Sequence, residues 1–196
     1  MTTLTKKERE TVLLLFKDYT VFYNSNSMSK VLNISHVGAQ KIFKRLLQEN
    51  VVVSKTIGKS ITYKLNFNES YVSQLVAFLL ADEANQFKRW KEEFKELFKK
   101  DRIIMLFGST MKDYAHAHDI DIMIVLKNKD VKEVNTVLKN KEEVLPKKLH
   151  VIKLTHHDLL ENIKIKDKAF VDIIKNAIIF YGQEKYAEIL KNAQRW

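Results

Sequence analysis

The stretch FGSTMKDYAHAHDIDIMIV, residues 107–125, decides how this chain is read. Its first residue closes an apolar run, Arg102 to Phe107, and a Gly-Ser pair ends that run. A second apolar run, Ile120 to Leu126, starts behind two aspartates one residue apart. Two such runs joined by a polar, irregular segment read as two strands and a loop. With a two-residue side-chain period, Asp119 and Asp121 project from one face, their Cα atoms about 6–7 Å apart. Half-burying two carboxylates side by side is costly unless the charges hold something. A divalent cation suits them, and magnesium prefers carboxylates together with substrate phosphates. Gly108 permits close backbone approach, and the Ser109 hydroxyl with neighbouring amides can hold a phosphate. The alternative is a capped strand edge whose aspartates pair with nearby lysines.

Downstream, KKLHVIKLT (147–155) reads as another strand, entered just after the single proline, Pro146. His150 stands within it. A neutral imidazole can accept a proton or ligate a metal, but it brings no negative charge. His116 and His118 lie in the loop before the aspartates, within reach of a phosphate or metal, but read as ordinary exposed histidines. His156 and His157 follow Thr155 at a helix start and lack the i, i+4 spacing of a helical metal pair. The segment FVDIIKNAIIFYGQEKYAEILKN (170–192) reads as a helix from Phe170 to Ile178, an extended piece from Ile179 to Tyr181, and a turn at Gly182 into a last helix.

Upstream, residues 68–100 carry Val72, Leu75, Val76 and Leu79, then Phe87, Trp90, Phe94 and Leu97, at helical spacing. They predict one long helix or a pair, with the aromatic stripe as packing surface. Thr5 to Lys17 predicts a Thr-capped helix with Val12, Leu15 and Phe16 inward. Ser27 is a candidate cap for a short helix ending at Leu32, and Asn33 to Ser35 a turn. The next helix, Ser35 to Glu49, is expected to bury Val37, Ile42, Leu46 and Leu47 and to turn Lys41, Lys44 and Arg45 outward. VVVSKTIGKSITYKLN (51–66) reads as a β-hairpin.

The chain is 45% apolar, enough for one large or two small cores, and has no cysteine, so disulfides and thiolate metal sites are excluded. No run approaches the ~20 apolar residues of a membrane span, and MTTLTKKERE has no apolar signal core. A soluble, cytoplasmic protein without membrane contact is expected. The formal net charge is +10 and uneven. Met1 to Phe67 holds eleven Lys/Arg against four Asp/Glu, Asn68 to Lys100 balances, and the remainder is slightly basic. An excess at one end predicts a polyanionic partner for that end. A lysine-rich, solubilising surface is the plain alternative.

Three helices followed by a basic hairpin resemble the winged-helix domain, over about the first 67 residues. The resemblance implies DNA binding by the helix from Ser35 to Glu49. Ser35, His36, Gln40, Lys41 and Lys44 would face the major groove, with Arg45 near phosphates, and Lys55, Lys59 and Lys64 would approach phosphates from the wing. Winged helices also serve as protein-docking and dimerisation modules. A homodimer would need DNA half-sites about one helical turn apart.

From Asp101 onward, Gly108-Ser109 and Asp119-Ile120-Asp121 resemble the nucleotidyltransferase superfamily that includes DNA polymerase beta, most closely its minimal members. The resemblance implies a short mixed sheet flanked by helices. It implies Mg2+ or Mn2+ bridging an NTP, in-line attack on the α-phosphorus, and departure of pyrophosphate. His150 stands where the family carries a third carboxylate. Asp113 or Tyr114 and His118 stand where it usually has a Gly and a Ser. The expected architecture is α+β: a winged helix-turn-helix over 1–67, a helical connector over 68–100 and a nucleotidyltransferase-like domain over 101–196. Two functions stay open. One is a DNA-associated enzyme that moves a nucleoside monophosphate to a hydroxyl acceptor, on a partner protein among other candidates. Asp119, Asp121 and His150 would be its catalytic residues, Asp119 and Asp121 its metal ligands, and Gly108 and Ser109 its nucleotide-binding residues. The other is a catalytically impaired transcriptional regulator whose second domain binds nucleotide or dimerises.

Overall fold

A computed structural model describes residues 3–111 and 113–193. The chain divides into two compact units, Met1–Leu79 and Leu80–Trp196. The architecture is α+β, with helices throughout and a mixed four-stranded sheet in the second unit. Among the described residues, no helix is long and apolar enough to cross a membrane.

In the first unit, α1 (Lys6–Lys17) begins at a reciprocal cap: the Thr5 side chain accepts from the Glu8 amide, and the Glu8 carboxylate accepts from the Thr5 amide at 2.7 Å. Both orphan donors are thereby satisfied. Val12, Leu15 and Phe16 are buried as the spacing predicts. The second helix, α2 (Ser25–Leu32), is capped by Asn24, not by Ser27. Ser27 sits three residues further on and closes the box from inside, its hydroxyl accepting from the Asn24 amide at 2.9 Å. Asn33, left-handed at φ 51°, ends α2. The third helix, α3 (His36–Gln48), is capped by Ser35, which accepts from the Gly38 amide at 3.0 Å.

The inward side of α3 is Ala39, Phe43 and Leu46. Val37, expected to be buried, is 57% exposed. The reason is angular: Val37 and Leu46 are nine residues apart, two and a half turns at 3.6 residues per turn, so they lie on opposite sides. The hairpin follows as β1 (Val52–Ile57) and β2 (Ser60–Leu65), with Ile57 opposite Ser60. Gly58, at φ 59°, supplies the positive φ that the first position of this two-residue loop needs. Tyr23 adds a third, single-bridge strand against Tyr63, and the Phe43 ring stacks on Tyr63 with centroids 3.8 Å apart.

The stretch expected to connect the halves breaks into α4 (Ser70–Asn85), α5 (Lys88–Glu93) and a 3-10 turn (Lys95–Leu97). Trp90, Phe94 and Leu97 are buried. They join Ile104, Leu106, Ile120, Ile122 and Ile124 in one core.

The sheet of the second unit runs β5-β4-β3-β6. β3 (Ile103–Phe107) and β4 (Asp119–Val125) are antiparallel, as are β3 and β6 (Ile178–Tyr181). β5 (Lys148–Leu154) is parallel to β4, reached through α6 (Val131–Val144). Every residue of β3 is buried. One face meets the Trp90–Phe94 core, and on the other side α8 (Lys168–Asn176) and α9 (Gln183–Ala193) pack against β3. The helix expected to reach Ile178 stops at Asn176, because Ile178 is needed in β6, opposite Leu106. α7 (His156–Ile165) starts at Thr155 through a capping box with Asp158.

Gly182 turns β6 into α9 at φ 78°, and a Cβ there would lie 2.3 Å from the Arg102 carbonyl oxygen. Gly182→Ala is expected to destabilise the second unit by at least ~1–2 kcal/mol, the left-handed penalty of a non-glycine residue. The midpoint of chemical unfolding, followed by tryptophan fluorescence of Trp90, checks this.

Candidate functional site

The Gly-Ser pair sits where β3 ends. Phe107, its last residue, lies opposite Asp121. Asp121 in turn lies in parallel register with His150 on β5. Registered residues of neighbouring strands point to the same face. Strand pairing therefore brings residues 107, 121 and 150 to one level of one face, with Asp119 two residues earlier on that face. One ligand atom each from Asp119, Asp121 and His150 lies within 4.8 Å of the others. Donors opposite each other across an ion with bonds of ~2.1 Å are ~4.2 Å apart. Small side-chain rotations would close these three on a divalent cation.

His150 Nδ1 stands 2.8 Å from Asp121 Oδ1, a hydrogen bond across the pair. The imidazole is open to solvent, its side chain 61% exposed, whereas the Asp121 side chain is only 15% exposed. The other Asp121 oxygen faces Gly108. A Cβ on Gly108 would lie 2.0 Å from Asp121 Oδ2, and Gly108 has φ 77°. Both facts demand glycine: the conformation is left-handed and the space is filled by the carboxylate. Ser109 follows, exposed, at the start of a 3-10 turn (Ser109–Met111).

Two supports of the site carry no motif and were not singled out in the sequence. Thr110 is buried, and its hydroxyl donates to the Asp119 carbonyl at 2.5 Å, tying the turn to the start of β4. Lys147 extends its ammonium under the loop and donates to the carbonyls of Tyr114, Ala115 and Ala117. The same ammonium lies 4.3 Å from the centre of the Tyr114 ring. Three carbonyls take the ammonium's three donors, and the ring face adds a cation–π contact. Only the tertiary fold could reveal this, since Lys147 is some thirty residues from the loop it holds.

The loop histidines stand apart from this group. His116 Nδ1 lies 2.6 Å from Asp113 Oδ2 and holds that carboxyl below the usual carboxylate range. His118 is exposed. His156 heads α7, where burial, the largest influence, lowers its pKa.

The donor set fits a divalent ion. Two carboxylates and an imidazole are oxygen-oxygen-nitrogen, a set that Mn2+ accepts more readily than Mg2+.

On the first unit, Ser35, His36, Gln40, Lys41 and Lys44 lie along the solvent side of α3. Lys55 is on β1 and Lys59 in the hairpin turn. His36, Gln40, Lys44, Lys59 and Tyr63 line a groove of about 650 Å³ between α3 and the hairpin. Arg45 is differently employed: it pairs with the buried Glu8 carboxylate at 3.1 Å and donates to the Thr3 carbonyl.

Residues 87–181 match the family model of the nucleotidyltransferase domain. No curated protein matches the chain. Among solved structures, a point mutant of Lactococcus lactis ZitR aligns over 72% of this chain and 75% of its own, at 14% identity and a TM-score of 0.35. A likeness of that size carries no argument. The family match runs to the end of β6 and encloses Gly108, Ser109, Asp119, Asp121 and His150.

Proposed function

We propose that this chain is a DNA-associated nucleotidyltransferase. It would transfer a nucleoside monophosphate from an NTP to a hydroxyl acceptor, with Asp119 and Asp121 as metal ligands. The observation that carries the reading is the convergence of Asp119, Asp121 and His150 within 4.8 Å, beside a left-handed glycine whose Cβ position the Asp121 carboxylate occupies. A divalent ion held there would neutralise charge on the triphosphate. The Ser109 hydroxyl and the amides of its turn would hold phosphate oxygens. His150 is suited to take the acceptor's proton. If Nδ1–H donates to Asp121, Nε2 keeps a free lone pair toward solvent, and the carboxylate fixes the ring.

A second reading rests on the same residue. The His150–Asp121 hydrogen bond occupies one carboxylate oxygen, and a third negative charge is missing. On that reading the domain binds nucleotide without transferring it, or only dimerises, and the chain acts as a DNA-binding regulator. In both readings residues 1–67 form a winged-helix module whose α3 enters the major groove. Lys41 and Lys44 have no ion pair or hydrogen bond among the described residues, and Lys59 would meet phosphates from the hairpin turn.

Calorimetric titration of NTPs with Mg2+ or Mn2+ tests the nucleotide site, and metal-dependent release of pyrophosphate separates the two readings. Wild type is expected to bind nucleotide only with metal. Asp119→Asn with Asp121→Asn is expected to lose that binding; a double mutant that binds normally sinks the site. Gly108→Ala is expected to weaken binding by ~tenfold or more, ~1.4 kcal/mol per factor of ten, because Asp121 must move. Lys41→Ala with Lys44→Ala is expected to reduce the slope of log affinity for duplex DNA against log salt by ~1.8, about 0.9 per phosphate contact. An unchanged slope would move the DNA surface elsewhere.

A further inference from the structure

Val37 stands where packing has no use for it. It lies on the side of α3 opposite Ala39, Phe43 and Leu46, each fully buried. Its neighbours on the outward stripe are Gln40 and Lys41, three and four residues on, then Lys44 and Gln48, all exposed. Val37 is the one exposed large apolar side chain of α3. A β-branched residue is a poorer helix former than the lysines and glutamines around it. Here it gains little burial in return, with more than half of its surface exposed. Single exposed apolar side chains are common on protein surfaces; what sets Val37 apart is its place among Gln40, Lys41 and Lys44 on the outward stripe of the helix read above as the recognition helix.

The stripe also says what would cover Val37. α3 carries no acidic residue, and Lys41 and Lys44 have no partner among the described residues. An occupant must therefore be anionic at its rim and offer one small apolar group within. The major groove of duplex DNA does both: phosphates line it, and its floor has a single kind of methyl, at C5 of thymine. The amide of Gln40 has the donor and acceptor that match adenine N6 and N7. Side chains three residues apart on a helix are about 5–6 Å from each other, so the two reach neighbouring base pairs.

We propose that α3 reads A·T pairs, with Val37 packed against a thymine methyl and Gln40 bonded to an adjacent adenine. This rests on the DNA reading of α3 given above and adds the bases it selects. Val37 is then a specificity residue, while Lys41 and Lys44 supply affinity for any sequence.

The test uses the full chain. Sites are selected from a random duplex library at fixed salt. The best duplex is then remade with deoxyuridine in place of each core thymine in turn, which removes only the methyl. Fluorescence anisotropy compares wild type with Val37→Ala, a substitution that favours the helix. One deoxyuridine is expected to weaken wild-type binding about fourfold, the effect of burying one methyl group. The same exchange is expected to leave Val37→Ala unaffected. Selected sites without a common thymine, or equal loss in both proteins, overturn the proposal and leave DNA binding standing. Failure to bind any duplex at low salt overturns the DNA reading itself. A Val37→Ala protein with normal thymine dependence but altered sedimentation overturns the proposal in favour of a protein contact.

Discussion

Everything at the candidate site depends on the pairing of β4 with a strand on each edge. The β3 edge sets Phe107 opposite Asp121 and carries the chain into Gly108 against the carboxylate. The β5 edge sets His150 beside the same aspartate. A one-residue slip on either edge would turn the partner side chain to the other face. On the β5 edge Leu149 and Val151, packed against the core, prevent that slip, because they would have to exchange places with His150. The apolar half of the strand thus fixes the geometry of the polar half.

Asp121 is the centre of this arrangement because both of its oxygens are already committed in direction. One faces His150, the other faces the glycine backbone. A carboxylate held from two sides loses little rotamer freedom when it takes a ligand. The loop that leads to it is held as firmly, by the Thr110 hydroxyl at one end and the Lys147 ammonium at the other. Neither residue would touch a nucleotide in the proposed reaction; both set where the touching groups stand.

In the first unit a comparable part falls to Glu8. One of its oxygens closes the cap of α1 and the other holds Arg45 of α3. Glu8 is almost wholly buried, and a buried carboxylate is stable only when hydrogen-bonded and paired. The Glu8–Arg45 link joins the first helix to the proposed recognition helix and withdraws one cation from the outward face. The stripe left for a partner is Val37, Gln40, Lys41 and Lys44, with one apolar member among polar ones.

By itself the sequence determined the three helices and hairpin up to Asn66, the strands around Phe107, Ile122 and Val151, the Gly-Ser and Asp-x-Asp motif, and the bias of positive charge toward the first third. These are local properties: side-chain period, turn chemistry and composition act within a few residues. It placed His150 on a strand but could not set its register. Only the tertiary structure decided that His150 meets Asp121 rather than pointing away, since parallel pairing across a helical crossover depends on how two distant segments pack. Val37 departs from the apolar pattern for a related reason. An apolar residue counts as buried until the whole stripe is placed on the helix, and Phe43, packed on Tyr63, claims the inward side. Thr110 and Lys147 left no trace in the pattern, because a side chain that holds a backbone carbonyl needs a location and not a motif.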